Sequence, residues 1–302
     1  IGAGILRQLA DVYRKVRNTS RYLLGNLHDF NPATDAIPIA ELPLLDRWML
    51  QRTAEVMDDI TEAFESFEFF RFFQLLQNFC VTDLSNFYLD IAKDRLYVSA
   101  PQDQRRRSCQ TVMALIIERL AGLIAPVLCH MAEDIWQNLP YPVKETSVFH
   151  RGWPTVPADW RDAALSAPVQ ELRELRAAVN KVLEDCRGRQ ELGASLEAAV
   201  RIDARRPELQ AALSWQSKTG DAEVDGLRDW LLVSQLQIGG EPWDELLASQ
   251  DDDLAVIEVS RARGTKCERC WHYESDVGQH PDNPHICGRC VGVLERRTHQ
   301  LS

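Results

Sequence analysis

The sequence has no apolar run of membrane-spanning length. Its most apolar stretch, 112–129, is cut by Glu118 and Arg119, well short of the ~18 uninterrupted apolar residues that a span needs. An export signal is also missing: Arg7 is followed by Asp11 and charged helix formers, not by an apolar segment and a small-residue cleavage site. There is no glycine-rich loop suited to cradling phosphate; Gly239-Gly240 reads as a turn. No catalytic constellation can be assembled. His130 and Glu133 lie three apart on a helix with no third member, and read as packing or capping. Positive charge is in deficit, with 34 Lys and Arg against 45 Asp and Glu, a net of −11. That excludes a protein that coats nucleic acid through bulk charge, though not one with a local basic face. A cytoplasmic chain with no membrane partner is expected.

What remains is an ordinary globular composition. At 302 residues the chain has room for two or three domains. It begins at Ile1 rather than Met, and is read as a piece of a longer protein. Residues 3–139 read as helix nearly throughout. In the first helix Leu6, Leu9, Val12, Tyr13, Val16, Leu23, Leu24 and Leu27 recur at helical spacing and make one apolar face, ended by Asn31-Pro32. Helices follow from Pro43, over 68–93, over 103–123 and beyond Pro126. Five prolines, at 140, 142, 154, 157 and 168, bracket a break in the pattern. A helix over 169–187 comes next. Strand-like runs at 196–202, 233–238 and 254–259 alternate with short helices at 209–213 and 227–232. An acidic surface loop carries Glu241, Asp244, Glu245, Asp251, Asp252 and Asp253. The expected architecture is mainly α: an antiparallel helical bundle over 1–157, a helix with a small α+β segment over 158–260, and a C-terminal four-cysteine zinc module over 261–302.

Eight cysteines divide into two groups. Cys80, Cys109, Cys129 and Cys186 are scattered through helical patterns, whereas Cys267, Cys270, Cys287 and Cys290 form two tight pairs sixteen residues apart. A C-x2-C-x16-C-x2-C spacing is that of a structural zinc site. Each two-residue gap lets a turn aim two sulfurs at one point, and two such knuckles complete a tetrahedron of thiolates at roughly 2.3 Å from one zinc ion. Gly288 is expected to help the second turn through a positive φ. With four protein ligands the site has no open position, so its role is structural, and metal binding supplies most of the folding free energy of the module. His272 and His285 are the substitute ligands, and are otherwise expected to be exposed. Lys266, Arg269 and Arg289 flank the thiolates and can offset their charge.

The net charge hides segregation. Residues 1–26 hold Arg7, Arg14, Lys15, Arg17 and Arg21 against Asp11 alone, a local +4. Arg7, Arg14, Arg17 and Arg21 fall on one flank of the helix, either a solvated face or a row of phosphate contacts. Arg105-Arg106-Arg107 opens the fourth helix, the wrong end for the helix dipole, which suggests an anionic partner. Arg173, Arg176 and Arg187 share a side of the 169–187 helix. The segment from Arg261 onward has seven basic and five acidic residues. Trp271, directly after Cys270, either stacks on an unpaired base or packs the knuckle against the α+β segment.

Together these pieces resemble one family, the C-terminal part of the bacterial isoleucyl-tRNA synthetases. The residues that carry the resemblance include Arg17-Asn18-Thr19-Ser20-Arg21-Tyr22-Leu23-Leu24-Gly25-Asn26-Leu27, Asp46-Arg47-Trp48 and Phe87-Tyr88-Leu89-Asp90-Ile91. Lys93-Asp94-Arg95-Leu96-Tyr97, Arg106-Arg107-Ser108-Cys109-Gln110-Thr111 and Ala132-Glu133-Asp134-Ile135-Trp136 are similar to later signatures, as are Val179-Asn180-Lys181 and Ser195-Leu196-Glu197-Ala198. Lys266-Cys267-Glu268-Arg269-Cys270-Trp271-His272-Tyr273 completes the set. The bundle signatures alone would also fit the related enzymes for valine or leucine; the terminal zinc module points to isoleucine. The resemblance implies an anticodon-binding bundle whose tRNA contacts come from Arg7, Arg14, Arg17, Arg21, Arg106, Arg107, Arg173, Arg176, Lys266, Arg269, Trp271 and Arg289. It implies isoleucine tRNA as partner, and catalytic and editing domains elsewhere in the same polypeptide. ATP would bind only in the catalytic part, since neither His-x-Gly-His nor Lys-Met-Ser-Lys-Ser occurs here, and the chain alone would not aminoacylate. Two other classes carry such features: a free-standing tRNA-binding or regulatory protein, and DNA glycosylases of the formamidopyrimidine family, which share the four-cysteine module. The latter need a catalytic N-terminal residue that Ile1 does not supply, so no DNA partner is expected.

Overall fold

The computed structural model describes residues 2–219 and 226–299, so the last three residues of the expected zinc module lie outside it. The chain forms two compact units, one of residues 1–96 and 102–163, the other of 97–101 and 164–302.

The first unit is a helical bundle. Its elements are α1 (Ala3–Gly25), α2 (Pro32–Asp35), α3 (Leu44–Glu65), α4 (Phe69–Asn78), a π-helical segment (Phe79–Tyr88), α5 (Leu89–Val98, whose last two residues belong to the second unit), α6 (Gln104–Ile124) and α7 (Cys129–Gln137). The apolar stripe of α1 is buried only from Val16 onward, through Leu23 and Leu27; Leu6, Leu9 and Tyr13 are exposed. Pro32 sits at the start of α2, where its missing N–H costs nothing, and Asn31 caps it by accepting from the Ala33 amide at 3.0 Å. The expected single helix over 68–93 runs on to Val98 and widens to π geometry in its middle. There the Ser85 hydroxyl donates to the Cys80 carbonyl five residues back, at 2.7 Å. Such bulges re-aim side chains by about one position, and this stretch buries Asp83 and Tyr88 together with Phe79, Cys80, Leu84 and Phe87.

The centre of the bundle is polar at one point. Asp46 is fully buried and accepts from the Tyr88 hydroxyl at 2.5 Å and the Arg95 guanidinium at 2.8 Å. A buried pair of this kind is stable only when its remaining polar atoms are satisfied. Burial, with the Asp46 charge, pushes the Tyr88 phenol well above its usual range, so it stays a donor.

The second unit joins a sheet, three helices and the cysteine module. Helix α8 (Ser166–Gly188) buries Leu172, Leu175, Val179, Val182 and Leu183. Strands β1 (Ala198–Ala204), β2 (Gln235–Ile238), β3 (Ala248–Asp251) and β4 (Ala255–Arg261) form a mixed sheet in the order β2-β1-β4-β3. β2 runs parallel to β1 after a crossover through α9 (Pro207–Thr219) and α10 (Leu227–Leu231), and the other pairings are antiparallel. Arg201 and Glu258 face each other across β1 and β4 in a buried bidentate pair, at 2.7 and 2.9 Å. β3 falls inside the stretch read as an acidic loop. It is an edge strand, and Ala248-Ser249-Gln250-Asp251 has too little apolar alternation to announce itself.

Candidate metal centre and nucleic-acid interface

The cysteine module is built from turns. β5 (Thr265–Lys266) and β6 (Tyr273–Glu274) pair antiparallel, and α11 (Gly288–His299) starts inside the second cysteine pair. Gly264 lets the hairpin close: its φ is +100°, and a Cβ there would lie 2.5 Å from the Glu274 carbonyl oxygen. The first knuckle is tied by the Cys267 amide to the His272 carbonyl at 2.8 Å and by the Trp271 amide to the Cys267 carbonyl at 2.9 Å. Gly288 is absent from the positive-φ glycines, contrary to expectation. Its smallness serves another purpose. The Asp276 carboxylate accepts from the Gly288 amide at 2.7 Å, where a Cβ would collide with it. That hydrogen bond holds the Asp276 carboxyl below its usual range. His285 is exposed as expected, but His272 is buried, because its backbone closes the first knuckle.

The four sulfurs converge. Cys267 and Cys290 are 3.8 Å apart, Cys270 and Cys287 are 3.8 Å apart, and all four lie within 4.8 Å of one another. A tetrahedron whose corners stand roughly 2.3 Å from its centre has edges of about 3.8 Å, so the donor set fits one zinc ion. Hydrogen bonds from the Cys287 and Cys290 thiols draw the Cys270 thiol down, and the Cys270 thiolate in turn pushes Cys287 and Cys290 up. Four thiols this close cannot all ionise unless a positive charge sits among them. Cys80 and Cys109, by contrast, are solitary buried thiols pushed up to about 12 by desolvation.

The expected contact residues divide sharply. Arg7, Arg14, Arg17 and Arg21 are all exposed on α1, with Arg14 bridged to Asp11 at 3.1 Å. Arg106 and Arg107 are not available: both are buried, and their anionic partner is internal. Arg106 grips Asp29 at 2.5 and 2.8 Å, and Arg107 donates to the Asp29 carbonyl at 2.9 Å and faces Asp35 at 3.6 Å. Arg105, of the same cluster, faces Asp94 at 3.5 Å. Desolvation of Asp29 is outweighed by hydrogen bonds from Arg106 and Gln110 and by the charges of Arg106 and Arg107, so its carboxyl sits at about 2. Glu133 likewise acts as a cap, accepting from the Ser147 hydroxyl at 2.9 Å and the Val148 amide at 3.1 Å.

In the second unit Arg176 is buried and donates to the Trp230 carbonyl at 2.5 Å, so it too is structural. Arg173 is half-buried on the same helix. Arg269 turns inward, 3.6 Å from the Cys290 sulfur and 2.6 Å from the Val98 carbonyl. Arg289 acts on the Cys270 sulfur. These two offset thiolate charge, as their position in sequence suggests. Lys266 and Trp271 are exposed, with the ammonium 5.6 Å from the centre of the indole ring. Trp271 is 61 % exposed, so it does not pack the knuckle against the sheet. Sequence reasoning passed over Arg261 and Arg263, which are exposed and line a groove of about 1110 Å³ with Gln235, Gln237 and Trp243. Their position in the basic segment was the available signal.

Two stretches of the chain match known families. Residues 46–202 match the family described as the anticodon-binding domain of tRNA ligase. The chain belongs to that family. Residues 264–292 match the zinc finger found in FPG and IleRS. The finger match and the four-cysteine cluster together support one structural zinc ion. The chain is 88 % identical over 301 residues to the isoleucine–tRNA ligase of Parasynechococcus marenigrum (strain WH8102), covering 100 % of this chain and 31 % of that protein. It is 78 % identical to that of Synechococcus sp. (strain CC9311), over 98 % of this chain and 31 % of the relative. For that of Prochlorococcus marinus (strain MIT 9301) the identity is 52 %, over 97 % of this chain and 30 % of the relative. The chain thus spans about a third of the length of these relatives, in their C-terminal part. Among the described residues no helix is long and apolar enough to cross a membrane.

Proposed function

We propose that this chain is the tRNA-binding part of an isoleucine–tRNA ligase, a cytoplasmic enzyme that uses ATP to attach isoleucine to its tRNA. The chain recognises the anticodon end, and catalysis and editing reside in the rest of the polypeptide. The observation that carries the reading is the contrast between α1 and α6. Arg7, Arg14, Arg17 and Arg21 are exposed, while Arg106 and Arg107 are consumed by Asp29 and Asp35. An exposed cationic flank on the bundle whose later helices match this family is suited to phosphates, which position an RNA without reading its sequence. Lys266 and Trp271 supply the complementary element. A cation and an aromatic face held together on a rigid knuckle can stack on an unpaired base. Zinc here holds the knuckles in place and takes no part in chemistry.

The test is a titration of isoleucine tRNA against the chain and against an Arg14/Arg17/Arg21→Ala variant over a range of salt. Each lost phosphate contact flattens the plot of log K against log salt by roughly 0.7–0.9, so the triple variant flattens it by about 2 to 3. An unchanged slope, or equal affinity for an unrelated tRNA, refutes the assignment.

A further inference from the structure

Trp271 is not the only exposed aromatic held in left-handed backbone. Phe67, at the turn between α3 and α4, has φ +58° and is 79 % exposed. The turn closes α3 with the Glu68 amide donating to the Ala63 carbonyl at 2.7 Å and the Phe67 amide donating to the Phe64 carbonyl at 3.1 Å. That pattern places Phe67 at the position where helices usually end in glycine, because a side chain there crowds the backbone. Phe67 is therefore unfavourable twice over, strained and wet. Backbone strain of this sort persists where the side chain is needed.

Phe67 does not stand alone. Phe69 and Phe70 are 46 % and 76 % exposed beside it. Ring contacts run from Phe67 to Phe69 at 6.3 Å, from Phe69 to Phe64 at 5.7 Å, and from Phe64 to the fully buried Phe72 at 5.0 Å. Trp153 braces Phe64 from another side at 5.1 Å. The result is a rigid aromatic knob rooted in the core, exposing about 400 Å² of ring surface at the usual size of such side chains. A patch of that size is large for a lone surface and small for a whole interface, as expected for the centre of one.

Charge identifies what fits over it. The last two turns of α3 and the start of α4 carry Asp58, Asp59, Glu62, Glu65 and Glu68, with Arg71 drawn to three of them and Arg161 paired with Asp58. Five carboxylates against two guanidiniums repel phosphate. The surroundings of Trp271 are the reverse, with Lys266 over its ring. One backbone device therefore presents an aromatic ring in two opposite charge settings. We infer that the Phe67–Phe69–Phe70 knob docks into an apolar socket, rimmed by Lys and Arg, on the remainder of the polypeptide. The relatives are about three times as long as this chain, so a large protein surface is available to cover it. This inference rests on the reading of the chain as one part of a longer ligase.

The test is hydroxyl-radical footprinting, read by mass spectrometry, of the full-length polypeptide without RNA. Rates at Phe67, Phe69 and Phe70 are compared with those in the 302-residue chain. Docking slows them by about fivefold or more, since interface cores exclude water. Equal rates overturn the inference. So does slowing that appears only on adding isoleucine tRNA, or only as protein concentration rises, which would mark RNA or a second copy as the occupant. A Phe67→Gly variant supplies an independent check. Glycine suits the left-handed turn, so the thermal midpoint of the chain holds or rises, while protection of Phe69 and Phe70 in the full-length protein is lost. Unchanged protection in that variant refutes the knob. Trp271 is followed in the same samples. If tRNA shields Trp271 while the phenylalanines stay reactive, only the knob fails; if the phenylalanines are shielded and tRNA leaves Trp271 untouched, only the tRNA reading fails.

Discussion

Replacing Asp29 by Asn removes one charge and almost no volume, so its cost can be worked out from the contacts of one carboxylate. That group accepts from Arg106 at 2.5 and 2.8 Å and from Gln110 at 2.8 Å, and it lies 3.8 Å from Arg107. Its folded-state pKa of about 2, against 3.8 for the free group, is a depression. The stabilisation it brings is therefore present above the unfolded value and lost as pH falls through the folded one. At 1.36 kcal/mol per pKa unit the ceiling at neutral pH is about 2.4 kcal/mol. Asp29 keeps 30 % of its side-chain surface in water, and with that screening we expect about 1–2 kcal/mol. By linkage, about half of the effect remains at pH 3. The assay is urea unfolding of wild type and Asp29→Asn at pH 7 and pH 3, followed by far-UV circular dichroism. A difference near zero at pH 7, or one that does not shrink at pH 3, refutes the network as described. The companion measurement is tRNA binding by Arg106→Ala. If Arg106 is a staple and not a phosphate ligand, this variant loses stability while its salt slope stays that of the wild type.

Cys267→Ser, or chelation of wild type, is expected to release zinc and unfold 264–292 while the bundle keeps its helicity; reduced protein that contains no zinc on metal analysis contradicts this. Glu258→Gln leaves Arg201 buried without its counter-charge and should cost about 3 kcal/mol in a denaturant titration, whereas a loss under 1 kcal/mol means that water reaches the pair. Trp271→Gly relieves the left-handed backbone, so zinc affinity is retained while tRNA binding weakens by about 1–3 kcal/mol, the range for one lost stacking platform. Equal tRNA affinity in filter binding removes Trp271 from the interface.

The features visible in sequence were those whose cause is local. Cys267, Cys270, Cys287 and Cys290 need only two short turns to converge, and their spacing states that requirement in full. The bundle helices follow from one period of apolar residues, each visible within its own segment. What sequence could not separate was arginine from arginine. Arg17 and Arg106 look alike in a helical pattern, but the carboxylate that neutralises Arg106 lies 77 residues away. The carbonyl that holds Arg176 is 54 residues away. One physical signal was read correctly and assigned wrongly. Cations at the start of α6 do need an anion, and Asp29 and Asp35 supply it from the same chain. The left-handed backbone at Phe67 and Trp271 left no trace, because neither position holds the glycine that would have marked it.

The inward arginines also change the meaning of the net charge. With Arg106 and Arg107 committed to internal partners, Arg7, Arg14, Arg17 and Arg21 on α1 are the expected contact residues that remain for RNA in the bundle. Four phosphates neutralised at 0.7–0.9 each bound their share of the salt slope at about 3. A steeper slope would mean that further exposed cations, such as Lys15 on α1, Lys144 in the bundle, or Arg261, Arg263 and Lys266 in the second unit, also meet phosphate. The remaining affinity must come from contacts that salt does not screen, such as the indole of Trp271. A partner held this way is selected for its shape, because a generic polyanion offers no base for Trp271 to stack on.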